Sequence, residues 1–145
     1  MSVAAPRALS APTLTDAQLA DFTVGDDPAA RGRIALPVSA ETGSTCTVVY
    51  LEVDPGNKIP LHTHTAEEIL VVLGGSGRAT AGEATREVSV GSIVVVPAFA
   101  PHGFDNTGSE TLKLVGFFPS GVVLNYFDDP VAPFGTKTFV TPVTG

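Results

Sequence analysis

Residues 56–75 read Gly-Asn-Lys-Ile-Pro-Leu-His-Thr-His-Thr-Ala-Glu-Glu-Ile-Leu-Val-Val-Leu-Gly-Gly. The apolar, β-branched run at 68–73 stops at Gly74-Gly75, which reads as a strand closed by a turn. His62 and His64 stand two apart. In a strand such residues project from one face, so both imidazoles point at one volume. Glu68 opens the next strand, four residues after His64. By alternation it shares a face with Leu70 and Val72, while Glu67 faces the other way with Ile69 and Val71. Apolar residues on both sides leave that parity open at this point. The third and last histidine is His102. It follows Pro97 and the turn Ala98-Phe99-Ala100-Pro101, and a strand–turn–strand there can bring it back over the sheet. Three imidazoles and a carboxylate then converge. That N₃O donor set suits one divalent ion: Fe, Mn, Co, Ni, Cu or Zn.

Outward from this stretch, strand signals recur at residues 45–53, 77–80, 84–90, 92–96, 111–119 and 122–127, each bounded by Gly, Pro or Asn turns. No long helical periodicity interrupts them. The composition agrees, with 15 Gly, 12 Pro, 43% hydrophobic and only 16% charged residues. These features predict an all-β domain, a sandwich or small barrel whose inner face could hold a ligand. A chain of 145 residues is one domain by length, and long enough to fold without a metal staple. Residues 1–33 are expected to be an N-terminal arm and loop, with a helical turn over 15–22 capped by Thr15 or Asp16. Residues 34–128 form the barrel. Residues 129–145 are a tail that packs on the barrel, as a lid over the pocket, or on a partner subunit.

Several classes drop out. The single Cys46 excludes an internal disulfide framework and a multi-cysteine zinc site, and reads as a small core residue. Net charge is −7, and the eight Lys and Arg are scattered, so nucleic acid and anionic membranes are poor partners. Apolar runs reach about five residues, far short of a membrane span. The N-terminus lacks the continuous apolar segment of a signal peptide, which leaves the cytoplasm as the default location.

Two spaced motifs carry a family resemblance. Gly56-(five)-His62-x-His64-(three)-Glu68-(six)-Gly75 resembles the first motif of the cupin superfamily. Gly91-(five)-Pro97-(four)-His102-(three)-Asn106 resembles the second. The resemblance implies a double-stranded β-helix, a jelly-roll-like small barrel, with His62, His64, Glu68 and His102 as ligands of one divalent metal ion. Its spacing selects Glu68 over Glu67. One position departs: the second motif usually has Gly two residues after the proline, and here it is Phe99. A φ > 0 there would strain a phenylalanine by about 1–3 kcal/mol. The expectation is therefore a rebuilt turn with Phe99 at the pocket mouth.

Four protein ligands on a six-coordinate ion leave two positions for water, O₂ or a chelating substrate. Candidate inward residues are Val49, Leu51, Leu70, Val72, Val94, Val96, Phe104, Leu114 and Phe117, which make the pocket apolar. No Arg or Lys pair sits near the motifs, which disfavours a sugar-phosphate substrate. Tyr50 and Tyr126 are candidate proton donors, and Asp105 reads as turn chemistry. In cupin dioxygenases that cleave flavonols the equivalent glutamate is thought to act as base. By resemblance Glu68 has that role here. The leading expectation is a non-heme dioxygenase acting on a small aromatic or enolisable molecule chelated to the metal. A non-redox cyclase, isomerase or lyase like the cupin-type polyketide cyclases is the alternative, and a non-catalytic binding cupin the third. A homodimer is expected, because a small β-barrel leaves edge strands to cover.

Overall fold

Strands fill most of residues 9–14 and 18–142, the parts of the chain that the computed structural model describes. They are β1 (Ala20–Val24), β2 (Arg31–Val38), β3 (Thr47–Val53), β4 (Lys58–His64), β5 (Glu68–Gly74) and β6 (Ser76–Ala81). After these come β7 (Ala84–Ser89), β8 (Ile93–Val96), β9 (His102–Asp105), β10 (Leu112–Phe118), β11 (Val123–Ala132) and β12 (Thr136–Thr141). All belong to one antiparallel sheet with the order β7-β6-β9-β4-β11-β1-β2-β3-β10-β5-β8, and β12 is added to β11. The sheet curls on itself. A single apolar cluster joins Ile59, Ala79, Val88 and Phe104 of one half to Val53, Leu70, Val72, Val96, Leu112 and Leu114 of the other. That facing of two sheet halves is the all-β barrel expected from the spacing of the strands, in the jelly-roll-like form that the family resemblance implies.

Period-two alternation decides what faces inward. In β10, Leu112, Leu114 and Phe118 are buried and Lys113 and Phe117 are exposed. Burying each such leucine stabilises the fold by about 1.5–3 kcal/mol. Two turns use side chains the sequence had marked. Asn106 Nδ2 donates to the carbonyls of Val53 (2.7 Å) and Glu110 (2.8 Å), and its Oδ1 accepts from Gly108 N (3.0 Å). Gly75 has φ +74°, and a Cβ there would lie 2.5 Å from the carbonyl of Thr111, so only glycine fits. On the outer side, Arg33 grips both carboxylate oxygens of Asp54 at 2.7 and 2.8 Å and reaches Glu52 at 3.2 Å, locking β2 against β3.

Several expectations fail. The helical turn over 15–22 is overturned at its end, where 20–22 belong to β1; residues 15–17 lie outside the described residues. Nor is the segment before 34 only arm and loop: 20–24 form β1 and 31–33 open β2, with a turn at 25–29 between them. β1 pairs with both β2 and β11, and the half-buried Phe22 packs against the core, so tertiary pairing overrides a locally helical composition. Asp105 ends strand β9 and is not a turn residue. Cys46 is half-buried and outside the apolar core. The turn after Pro97 is not rebuilt. Phe99 keeps φ 65°, its N–H donates to the carbonyl of His64 (2.8 Å), and its side chain is 61% exposed and away from the cavity. The left-handed conformation is kept because it ties the turn to β4. The segment after 128 continues β11 and returns as β12, a hairpin of the same sheet.

Candidate metal centre

Strand register assembles the site. β4 lies between β9 and β11. On one side His62 is opposite His102; on the other, His62 is opposite Phe127 and His64 opposite Asn125. The three imidazoles therefore share one wall, and one nitrogen from each lies within 4.8 Å of the others. Glu68 comes from β5 on the facing half of the barrel. Its Oε1 is 3.5 Å from His64 Nε2 and 3.4 Å from His102 Nε2. All four residues are buried, whereas Glu67 is exposed. The structure thus brings together the four residues the sequence singled out, and alternation in β5 turns Glu68, not Glu67, inward.

Backbone carbonyls orient two of the rings. His62 Nδ1 is 2.8 Å from the carbonyl of Pro60, and His102 Nδ1 is 3.1 Å from that of Ala100. A carbonyl only accepts, so each Nδ1 carries a proton, which fixes the ring and leaves Nε2 as the nitrogen not tied to the backbone. His102 Nε2 and His64 Nδ1 are buried without a hydrogen-bond partner. Buried polar atoms are normally satisfied, so these nitrogens suit a group that the polypeptide does not supply. Burial, reinforced by the neighbouring His102 and His64, pulls the His62 pKa well below its ordinary value and keeps the ring neutral. Burial pushes the Glu68 carboxyl up, but the imidazoles of His102 and His64 outweigh it and hold the group below the usual carboxylate value. Neutral imidazoles and an ionised carboxylate are the forms that bind a divalent cation. The residues fit one, with His62, His64 and His102 able to hold it and Glu68 within reach.

The centre opens into a cavity of about 210 Å³. Of the expected inward residues, Val49, Leu51, Leu70 and Phe104 line it. Val72, Val96 and Leu114 are buried in the core below it, with Val94 packed against them. Phe117 is a correction: it points outward, 40% exposed, and Phe118 takes the inner place, edge-on to His64 with centroids 5.0 Å apart. Phe127 stacks parallel on His62 at 4.4 Å, and Phe134 and Phe139 of the C-terminal hairpin complete the wall. The tail thus closes the chain's own pocket. Neither tyrosine contributes. Tyr50 donates to Glu52 Oε2 (2.7 Å) on the outer face, and burial with that carboxylate pushes its hydroxyl up to about 12; Tyr126 also lies outside the cavity.

Sequence reasoning missed two residues. Gly116 lies beneath the Glu68 carboxylate, where a Cβ would stand 2.5 Å from Oε2 and 2.8 Å from Val49 Cγ1. Nothing in the sequence separates it from any other strand glycine; only the pairing of β10 with β3 and β5 does. Asn125 is 5% exposed and lines the cavity beside His64. A polar residue between Leu124 and Tyr126 in a strand was the available signal.

The sequence model of the family described as "Cupin domain" matches residues 49–118, which span Val49 to Phe118 and contain the whole centre. Mannose-1-phosphate guanylyltransferase RfbM of Salmonella typhimurium is 35% identical over 77 residues, 52% of this chain and 16% of that protein. The chain spans less than half the length of the curated relatives it matches, 16% of one and 49% of another. Among solved structures, a predicted oxalate decarboxylase from Thermotoga maritima superposes with a TM-score of 0.67 at 18% identity, covering 75% of this chain and 97% of that one. The polyketide cyclase RemF from Streptomyces resistomycificus superposes with a TM-score of 0.63 at 23% identity, covering 77% and 79%. At those identities the likeness is one of fold.

Proposed function

Because this chain belongs to the cupin superfamily, and because its buried N₃O cluster opens into an apolar cavity, we propose that it is a metal-dependent enzyme acting on a small aromatic or enolisable molecule, most specifically a non-heme dioxygenase. One observation carries the reading. Glu68 is an ionised carboxylate among three histidines at the base of a largely hydrophobic cavity that, among the described residues, is lined by no Lys or Arg. Without a cation in its walls the cavity offers no clamp for a phosphate. That argues against transferring the sugar-phosphate chemistry named for RfbM to this chain. A volume near 210 Å³, below the roughly 300–1,000 Å³ of drug-sized pockets, suits a single ring or a short β-dicarbonyl.

A divalent ion held by His62, His64 and His102 with Glu68 would supply Lewis acidity toward a substrate oxygen and redox chemistry toward O₂. The chain supplies the rest. His62 and His102 are fixed in one tautomer by Pro60 and Ala100. Glu68 accepts the proton that the substrate's acidic O–H or C–H releases, as a general base. Phe118, Phe127 and the hairpin phenylalanines exclude water, which strengthens every charge interaction inside. Both atoms of O₂ would enter the product. The test is oxygen uptake by the Fe, Mn, Co, Ni and Cu forms with small β-diketones and hydroxylated aromatics. Uptake matched to substrate loss is expected. Turnover that continues anaerobically would instead assign the non-redox cyclase, isomerase or lyase reading. Tight binding with no product under either condition would reduce the protein to a binding cupin.

A second copy of the chain is the partner this reading includes. The strands at the two ends of the order, β7 and β8, differ. β7 presents the exposed charges Arg86 and Glu87, which discourage edge pairing, but β8 is Ile-Val-Val-Val with Ile93 66% and Val95 54% exposed. From that edge two apolar rows cross the outer face in register: Ile93, Val71 and Val115, then Val95, Ile69 and Phe117. A contiguous apolar face ending in an uncharged edge strand is self-complementary about a two-fold axis.

A further inference from the structure

Asn125 is a buried polar residue whose hydrogen bonding is left half complete. Its Nδ2 is 2.6 Å from Thr141 Oγ1, 3.2 Å from the carbonyl of Phe139 and 3.4 Å from the carbonyl of Val123. Two of those partners are carbonyls, which only accept. The orientation of the carboxamide is therefore settled: the NH₂ end faces strand β12, and the oxygen faces away from it. Asn125 Oδ1 has no partner among the described residues. The side chain is 5% exposed, lines the cavity, and stands opposite His64 across the β4–β11 ladder. Oδ1 is not sealed off, because the buried side-chain atoms left without a partner are His64 Nδ1 and His102 Nε2; it is open to the cavity, and a ligand that covers it without donating to it loses affinity.

We propose that Asn125 is the specificity-determining residue of this cavity, and that the substrate class is a small metal-chelating molecule bearing one further hydroxyl or N–H donor next to its chelating oxygen. The inference rests on the reading of the cavity as a metal-chelating active site. In the bound state the donor fills the vacancy on Oδ1. An analogue without the donor leaves a buried acceptor unpaired, and sites built to hydrogen-bond a substrate hydroxyl reject such analogues far more strongly than sites that merely enclose it. Thr141 and the carbonyl of Phe139 are the positioning groups. They tie the recognising amide to the C-terminal hairpin.

The experiment compares tropolone with 3-hydroxytropolone, which share a chelating head and differ by one hydroxyl. Binding to the Co(II)-loaded chain is followed in the visible spectrum of the metal, in wild type, Asn125→Leu and Asn125→Asp. The expected result is a preference of about tenfold or more for the hydroxylated probe in wild type. That preference should fall to about one in Asn125→Leu, with tropolone affinity changed by less than about threefold. Asn125→Asp keeps an acceptor and should keep the preference, which covers the case in which the leucine variant fails to fold. Equal binding of both probes to wild type, or a preference that survives Asn125→Leu, overturns the inference while leaving the metal site standing. Failure of either probe to perturb the cobalt spectrum overturns the active-site reading itself, and this inference with it.

Discussion

Glu68 is buried, ionised and 3.4–3.5 Å from two imidazole nitrogens, while its neighbour Glu67 is in solvent. The two glutamates are therefore a built-in control. Glu68→Gln removes a charged ligand and the proposed base together, and should lower both metal affinity and turnover. Glu67→Gln should leave metal binding within about tenfold, the mild end of what an outer group costs. Parallel metal titrations and rate measurements check this, and the reverse ranking would show the parity of β5 to be misassigned. Gly116 carries a second prediction at this scale. A methyl group there collides with Glu68 Oε2 and Val49, so Gly116→Ala should displace the carboxylate and weaken the metal by about 10–100-fold in a chelator competition assay. Unchanged affinity would mean that Glu68 is not a ligand. That His62, His64, Glu68 and His102 come together was foreseen from the spacing of two motifs and the family resemblance they carry: i and i+2 in one strand, then fixed intervals to the glutamate and the last histidine. Gly116 and Asn125 were not legible, because each matters only through a strand that arrives from elsewhere in the chain.

Among elements, the same division holds. Strands β3, β5 and β10 were readable from β-branched runs between turns. β1 was not, because its composition is locally helical and its conformation comes from pairing with β2 and β11. The choice of Phe118 over Phe117 was also beyond the sequence, since adjacent phenylalanines give no parity of their own; the match of Gly116 with Leu70 settles it. The β2–β3 clasp gives a pH prediction. The Arg33 guanidinium beside Asp54 holds that carboxyl at about 2, below its ordinary 3.8. A depressed carboxyl stabilises the fold fully above the unfolded value and loses that contribution as pH falls toward the folded one. Wild type should therefore lose stability between about pH 4 and pH 2 more steeply than Asp54→Asn, as read from urea midpoints. The effect is small because Asp54 is 43% exposed and partly screened. Parallel slopes for the two proteins would show that the clasp contributes nothing.

At the scale of the whole molecule, the barrel keeps its two faces apart: a polar centre inside an apolar cavity, and an apolar outer face ending at β8. The outer face predicts a dimer at micromolar concentration in sedimentation, and Val95→Lys at the uncharged edge should shift it to monomer without loss of bound metal; a wild-type monomer would contradict this assembly. The inner face predicts more directly. Three histidines from β4 and β9 and a glutamate from β5 meet only because the sheet curls until its halves face each other, so metal content reports the fold and the site at once. The decisive measurement is the metal stoichiometry of the purified chain and of His62→Ala, by native mass spectrometry with elemental analysis. One divalent ion per chain in wild type, lost in a still-folded His62→Ala, is the predicted result; undiminished metal in that variant, or a folded wild type that takes up none when offered Fe, Mn, Co, Ni, Cu or Zn, would contradict it.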